Sequence, residues 1–140
     1  MIASPIKSVV LIDDDEISNL FNKIFIRRLD LDIEIETVAN GAKAIALLTD
    51  QKTRLEKPLL LLLDMRMPVM DGWKFLEAYD SLDEELRNES FIAVLTTSEN
   101  EKEMISATKN PNIDAIIRKP LSEKKFTGLI QKLFIRKKKT

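Results

Sequence analysis

Acidic, hydroxyl and lysine side chains follow four separate apolar runs in this 140-residue chain. Asp13–Asp15 come after the first run, Asp64 after five consecutive leucines, Thr96 after the next run and Lys119 after the last. Carboxylates held within a few ångströms of one another repel by about 1 to 4 kcal/mol per pair at a protein surface. A hard divalent cation with oxygen ligands relieves this repulsion, and an open site with room for water and a phosphate suits Mg²⁺ better than Ca²⁺.

Such a site can turn one carboxylate into a nucleophile toward phosphorus. Asp64 is the candidate because it alone ends the leucine run that we expect to form the buried central strand, and its attack would give an aspartyl phosphate. Asp13 and Asp14 would then hold the metal. Lys119 would pair with the oxygens of the arriving phosphoryl group, and the Thr96 hydroxyl would donate to another of them.

The segments that must position these residues alternate between strand-like and helix-like patterns, which is typical of an α/β domain with a parallel sheet. Strands are predicted at 8–12, 33–37, 59–63, 91–95 and 113–117. Helices are predicted at 17–28, 42–48, 72–86, 99–109 and 126–134. The first of these helices carries one apolar stripe at helical spacing, formed by Ile17, Leu20, Phe21, Ile24 and Phe25.

The two kinds of strand pattern predict positions in the sheet. The leucine run at 59–63 has no polar face, so we expect it at the centre, covered by helices on both sides. The segment at 33–37 alternates apolar and acidic residues, as an edge strand would. Ligands of such sheets bind outside the carboxyl ends of the strands, and four of the five predicted ends carry polar side chains.

Composition limits the remaining classes of function. A net charge of −1 argues against a dedicated nucleic-acid binder. The chain contains no cysteine and no histidine, which excludes disulfides, histidine-based triads and zinc held by those residues. The longest apolar run is far shorter than the roughly 20 residues of a membrane span. We therefore expect a cytoplasmic protein with one domain over 1–140, a core at about 7–134 and a basic tail at 135–140.

Four motifs in this order resemble the response-regulator receiver of two-component signalling. They are Leu11-Ile12-Asp13-Asp14, the segment from Leu63 to Gly72, Leu95-Thr96 and Lys119-Pro120. The resemblance implies a flavodoxin-like (βα)5 fold with strand order 2-1-3-4-5. It also implies phosphorylation of Asp64, Mg²⁺ held by Asp13, Asp14, Asp64 and the backbone carbonyl of Arg66, and sensing of the phosphate by Thr96 and Lys119.

The same resemblance implies the partners. The donor would be a sensor histidine kinase or a histidine phosphotransfer protein. Since only a few residues follow the receiver-like region, we expect a stand-alone regulator, not an enzyme beyond its own phosphorylation and dephosphorylation. Its output would be a protein–protein contact through the face formed by the predicted fourth helix, fifth strand and fifth helix.

Two departures from the family pattern bear on this mechanism. Ile116 stands where many receivers carry tyrosine or phenylalanine, so the usual aromatic switch is missing. Arg66 and Ser98 occupy variable positions that flank the site.

Two alternative functions stay open. One is a scaffold module with the receiver fold that is not regulated by phosphate. The other is a haloacid-dehalogenase-type phosphatase, which would require an acid at the position of Arg66.

Several polar residues near the motifs have simpler structural interpretations. Asp15 and Ser98 are predicted to cap the helices that follow them. Thr97 could replace Thr96 only if its strand were one residue longer. Trp73 and Phe75 are predicted to lie in the core or at its boundary.

Overall fold

The computed structural model describes residues 3–50, 55–67, 69–97 and 101–138. The described strands are β1 (Ser8–Ile12), β2 (Glu34–Val38), β3 (Leu59–Asp64), β4 (Ser90–Thr96) and β5 (Ala115–Arg118). The described helices are α1 (Glu16–Arg28), α2 (Gly41–Thr49), α3 (Gly72–Asp80), α4 (Glu84–Asn88), α5 (Glu101–Lys109) and α6 (Glu123–Lys138). The basic segment predicted as a tail from 135 is thus helical as far as Lys138.

The five strands form one parallel sheet in the order β2-β1-β3-β4-β5, which confirms the predicted strand order. Ile12 of β1 pairs with Leu63 of β3, and Asp64 pairs with Leu95 of β4. Because the strands are parallel and nearly in step, their carboxyl ends meet at one edge of the sheet. The residues that follow those ends are brought together there.

The central strand is β3, as predicted from its leucines. Each of Leu59–Leu63 is at most 1% exposed. Alternate leucines point to opposite faces, with Leu60 and Leu62 in one core layer and the other three in the second layer. β2 lies at the edge of the sheet, also as predicted, and its residues are half-buried or exposed.

The two core layers place the helices on both faces of the sheet. One layer joins the strands to α1 and α6 through Ile26, Phe126 and Leu133. The other joins them to α2 and α3 through Ala44, Phe75 and Leu76. This two-sided covering matches the apolar character of β3 and confirms the predicted α/β class.

The apolar stripe of α1 faces solvent, which the amphipathic pattern did not indicate. Ile17, Leu20, Phe21 and Ile24 are 65%, 56%, 64% and 41% exposed, whereas the buried residues of the helix are Asn19 and Ile26. Phe25, the fifth member of the stripe, packs against the core. The stripe therefore lies mostly on the outer face of the helix, and of its five members Phe25 alone packs against the core.

The helix predicted at 72–86 is two helices in the structure. α3 ends at Asp80, where the Ser81 N–H donates to the Ala78 carbonyl, and α4 begins at Glu84. Arg87 Nε donates to the Leu82 carbonyl at 3.0 Å, which holds the intervening turn. The apolar spacing carries on through Leu82 and Leu86, which both pack on the core, so the pattern concealed the break.

The last strand begins two residues later than predicted. The Ile113 N–H donates to the Asn110 carbonyl and so belongs to the preceding turn. The Asp114 carboxylate accepts a hydrogen bond from the Ile92 N–H at 2.9 Å.

In the part of the chain that the structure describes, no helix is long and apolar enough to cross a bilayer.

Candidate functional site

The predicted site residues meet at the carboxyl edge of the sheet. Asp13 directly follows β1, Asp64 and Thr96 are the last residues of β3 and β4, and Lys119 directly follows β5. Each side chain is positioned by a strand whose apolar residues are mostly buried, so the edge is built on the rigid part of the fold. The structure therefore brings residues from four strand ends together at one edge of the sheet.

Three carboxylates form the acidic part of the site. Asp13, Asp14 and Asp64 each offer an oxygen, and these oxygens lie within 4.8 Å of one another. Asp13 and Asp64 are only 3% and 7% exposed, whereas Asp14 is exposed. Two backbone bonds orient the buried pair: the Asp15 N–H donates to Asp13 at 2.9 Å, and the Arg66 N–H donates to Asp64 at 3.2 Å.

Lys119 is the cation of the site. Its Nζ lies 3.3 Å from Asp64 Oδ1 and 3.6 Å from Asp13 Oδ2. Its backbone is fixed as well, because the Lys119 N–H donates to the Thr96 carbonyl at 2.7 Å. One lysine therefore contacts both buried acids while its main chain is bound to the end of β4.

The buried acid Asp13 remains poorly satisfied in spite of Lys119. Burial first, and the nearby charge of Asp64 in addition, raise the pKa of the Asp13 carboxyl above its ordinary value. Its Oδ2 is buried without a hydrogen-bond partner among the described residues, since 3.6 Å from Lys119 is too long for a hydrogen bond. An orphaned carboxylate oxygen beside two other acids is a set of hard oxygen donors that fits a divalent cation such as Mg²⁺.

Thr96 and Thr97 differ in burial, although the strand extends one residue further than the predicted 91–95. Thr96 is the last residue of β4 and is 8% exposed, whereas Thr97 lies beyond the strand and is exposed. The Thr96 hydroxyl donates to the Thr97 carbonyl at 3.1 Å. Thr96 is therefore the hydroxyl held at the strand end, and its contact with a phosphoryl group stays a prediction.

Asp15 caps α1 and lies outside the acidic cluster. Its carboxylate accepts hydrogen bonds from the N–H groups of Ile17 and Ser18. These bonds lower the pKa of the Asp15 carboxyl, the bond from the Ser18 N–H most of all. The predicted cap is confirmed, while the other predicted cap, Ser98, lies outside the described residues.

The β3–α3 loop carries Arg66, whose carbonyl is the predicted fourth metal ligand. The loop is closed by the Gly72 N–H, which donates to the Met65 carbonyl at 3.1 Å. The Arg66 side chain turns away toward α5, where Nη2 lies 3.9 Å from Glu103 Oε2. Ligation by the Arg66 carbonyl stays a prediction.

Sequence reasoning missed one polar residue that supports the acidic cluster. Asn19 of α1 is 8% exposed, and its Nδ2 donates to the Asp13 carbonyl at 2.9 Å. This bond fixes the backbone from which the first two acids project. Only its place on the sheet-facing side of α1 identifies it, and the stripe on α1 pointed to the opposite side.

Comparison with known proteins identifies this arrangement. The model of the response regulator receiver domain family matches residues 9–131. Sporulation initiation phosphotransferase F of Bacillus subtilis is 32% identical over 102 residues, which cover 71% of this chain and 72% of that protein. The probable C4-dicarboxylate response regulator DctR of Halalkalibacterium halodurans is 34% identical over 77 residues, which cover 55% of this chain but only 31% of that protein.

The fold is similar to solved structures of the same kind. A two-component response regulator from Cytophaga hutchinsonii superposes with a TM-score of 0.81 at 28% identity, and the match covers 92% of this chain and 97% of that one. The family match begins at the second residue of β1, continues past β5 and includes all four strand ends that carry the site residues. The chain therefore belongs to the response regulator receiver domain family, the signalling modules of two-component and phosphorelay systems.

Proposed function

We propose that Asp64 accepts a phosphoryl group from a histidine kinase or a histidine phosphotransfer protein. The observation that carries this proposal is the position of the Asp64 carboxylate. It ends the buried central strand, belongs to the three-acid cluster and lies 3.3 Å from Lys119 Nζ. No other acid at this edge combines these three properties among the described residues.

The chemistry is a substitution at phosphorus. A carboxylate oxygen of Asp64 forms a new bond to the phosphorus as the P–N bond of the donor phosphohistidine breaks. The imidazole nitrogen leaves with the electron pair of that bond, and Asp64 becomes an acyl phosphate. Hydrolysis of the same acyl phosphate returns the carboxylate and inorganic phosphate, so we infer that the chain catalyses only its own phosphorylation and dephosphorylation.

Asp13, Asp14 and Asp64, with the carbonyl of Arg66, would hold Mg²⁺. Bound there, Mg²⁺ would offset the charge of the acids and of the phosphoryl oxygens. The chain itself supplies orientation: the N–H groups of Asp15 and Arg66 fix the two buried carboxylates before any ligand arrives.

Lys119 and Thr96 would receive the phosphoryl oxygens. Lys119 Nζ already lies near the attacking carboxylate, so it can neutralise negative charge as that charge develops in the transition state. Among the described residues, the Thr96 hydroxyl donates to the carbonyl of the exposed residue Thr97, a bond that it can exchange for one to a phosphoryl oxygen. Such a change would move the end of β4 toward the site.

The exposed apolar face of α1 supports a docking site for the donor protein. A phosphohistidine that reaches Asp64 must lie over the carboxyl edge of the sheet, where α1 begins. Phe21 lines a groove of about 520 Å³ together with Asp13 and Lys119, so the apolar face runs directly into the site. We propose that an apolar surface of the donor covers this face of α1.

The output surface that we propose is the face of α5, β5 and α6. A second groove, of about 400 Å³, lies along β5 and α6 and is lined by Ile116, Ile117 and Leu129. Ile105 of α5 is a further apolar side chain at 54% exposure. A change in the Lys119 loop, which directly follows β5, would alter this face and thus the affinity for a downstream protein.

The experiment that tests phosphorylation uses Mg²⁺ and acetyl phosphate, followed by intact mass spectrometry. We expect the wild type to gain the mass of one phosphoryl group, and the gain to disappear in Asp64→Asn and on chelation of Mg²⁺. The matched control is Asp71→Asn, which changes a carboxylate that only caps α3 and should leave labelling intact. An unlabelled wild type, or a labelled Asp64→Asn variant, would refute the proposal.

A further inference from the structure

Lys125, in the first turn of α6, binds the backbone on both sides of Lys119. Its Nζ donates to the Arg118 carbonyl at 2.8 Å and to the Pro120 carbonyl at 3.0 Å. Lys125 contacts no acid of the site. Its two partners are instead the peptide groups that flank the site lysine.

The position of Lys125 in the helix makes these contacts informative. A cation in the first turn of a helix is opposed by the helix macrodipole, which favours acidic groups there. The two charge-assisted hydrogen bonds offset this opposition, because a charged donor bonds a carbonyl more strongly than a neutral one. A lysine that served only solubility would be better placed at the other end of α6.

The backbone of Lys125 is tied to the same loop. Its N–H donates to Ser122 Oγ at 3.2 Å, and the Phe126 N–H donates to the Ser122 carbonyl at 2.9 Å. Phe126 is fully buried in the core. The first turn of α6 is therefore a rigid support, and Lys125 connects that support to residues 118–120.

Lys119 needs such a support because its own side chain is long. A lysine side chain has four rotatable bonds and many rotamers, so the direction of Nζ depends on where the backbone is held. On one side, the Lys119 N–H is fixed to the Thr96 carbonyl. On the other side, the carbonyls of its two neighbours are fixed by Lys125.

We infer that Lys125 is a positioning residue, which holds the Lys119 loop so that Lys119 Nζ stays over Asp64. The inference rests on the proposed role of Lys119 in phosphoryl transfer. Lys125 does not touch the reacting atoms and acts only through its neighbour. Since it also lines the groove along β5 and α6, the residue that positions the site lysine belongs to the proposed output surface as well.

The test replaces Lys125 by methionine, whose unbranched side chain is one atom shorter and has no hydrogen-bond donor. We expect the initial rate of labelling by acetyl phosphate to fall about three- to tenfold, as is typical when one or two net hydrogen bonds that orient a site are lost. Mg²⁺ affinity, measured by calorimetry without any phosphodonor, should stay within about twofold of the wild type, because the acids are not touched. Lys125→Arg, which keeps two or more donors, should restore most of the rate.

A double-mutant cycle separates positioning from a general loss of structure. If Lys125 acts through Lys119, Lys125→Met should slow labelling much less in a Lys119→Met background than in the wild type. Lys124→Met and Lys132→Met remove neighbouring exposed lysines of α6 and serve as matched controls, with rates expected to match the wild type.

The outcomes distinguish this inference from the proposed function. A wild type that takes no label overturns both. A wild type that is labelled while Lys125→Met is labelled equally fast overturns the inference alone. So does an equal slowing by Lys125→Met in both backgrounds, or a failure of Lys125→Arg to restore the rate.

Discussion

Replacing Gly72 by alanine tests how the loop that carries Arg66 is held. A Cβ atom at Gly72 would overlap Met65 Sδ and would lie 2.7 Å from Met65 Cα. The sulfur can rotate away, but the Cα belongs to the backbone at the end of β3. Either α3 or the loop must therefore move, and overpacking of this kind costs about 1 to 3 kcal/mol. For a domain of this size, that lowers Tm by roughly 3 to 12 °C.

The same displacement should weaken Mg²⁺ binding. The Gly72 N–H closes the loop on the Met65 carbonyl, one residue before Arg66. The assay is Tm, measured by circular dichroism with and without Mg²⁺, because a bound ion raises Tm by mass action. The Gly72→Ala variant should show a lower Tm in the absence of Mg²⁺ and a smaller rise when it is added.

Gly128 provides a matched control with the opposite sign. It lies inside α6, and a Cβ there would meet no heavy atom within 4 Å. Alanine is a better helix former than glycine, so Gly128→Ala should raise the free energy of unfolding by about 0.5 to 1 kcal/mol. A neutral Gly72→Ala variant, or one whose response to Mg²⁺ equals that of the wild type, would show that close packing against Met65 does not hold the loop.

Three further substitutions test other parts of the structure. Asp15→Ala removes the cap of α1 and should lower the free energy of unfolding measured by urea denaturation. The Mg²⁺ response should survive, and its loss would make Asp15 a ligand. Phe21→Ser should leave labelling by acetyl phosphate unchanged while it slows transfer from a histidine donor protein that labels the wild type, by about tenfold or more; equal transfer would exclude α1 as the docking face. Burial first, and the Asp114 charge in addition, raise the pKa of Tyr79 above 10.0. The pKa of Tyr79 is therefore higher in the folded state than in the unfolded state. The protonated phenol stabilises the fold fully below the unfolded-state pKa, and this stabilisation is lost as the pH rises through the folded-state pKa. Urea unfolding measured at about pH 9 and again at about pH 11 should show a smaller loss of stability between the two for Tyr79→Phe than for the wild type. An equal loss would contradict the raised pKa of Tyr79.

The sequence predicted best where a single physical rule determines the outcome. A strand buried on both faces must be apolar throughout, so its first polar residue marks its end. This rule placed Asp64 at the end of β3 and Asp13 directly after β1. Parallel pairing then brought both acids to one edge, and the acidic cluster followed without knowledge of any side-chain contact.

The prediction failed where a pattern has two physical causes. A stripe with helical spacing shows that a helix has an apolar face, but it does not say what covers that face. In α1 the side toward the sheet includes Asn19, which binds the Asp13 carbonyl, and the large apolar residues face outward. The prediction of a single helix at 72–86 failed for a similar reason. Two short helices that pack on the same core show the same apolar spacing, through Leu82, as one continuous helix.

Contacts between side chains and distant backbone left no signal in the sequence. The bonds of Lys125 to the carbonyls around Lys119 depend on how the first turn of α6 meets the end of β5. A lysine among several lysines in a basic helix has no pattern that distinguishes it. Such residues become visible only in three dimensions, although their effect on a site can be as large as that of a residue inside a motif.

Because position 116 carries isoleucine and not an aromatic residue, a conformational change at Asp64 would reach the proposed output face by another route. Ile116 is half-buried and has no polar atom on its side chain, so it can follow a movement of Thr96 only by packing. The Lys119 backbone is bound directly to the Thr96 carbonyl, and its flanking carbonyls are bound to Lys125 at the groove. Hydrogen bonds transmit a displacement with a defined direction, whereas an aliphatic contact can slide. In this chain the backbone around Lys119 is therefore a more direct connection between the proposed phosphoryl site and the proposed output face than the side chain at position 116.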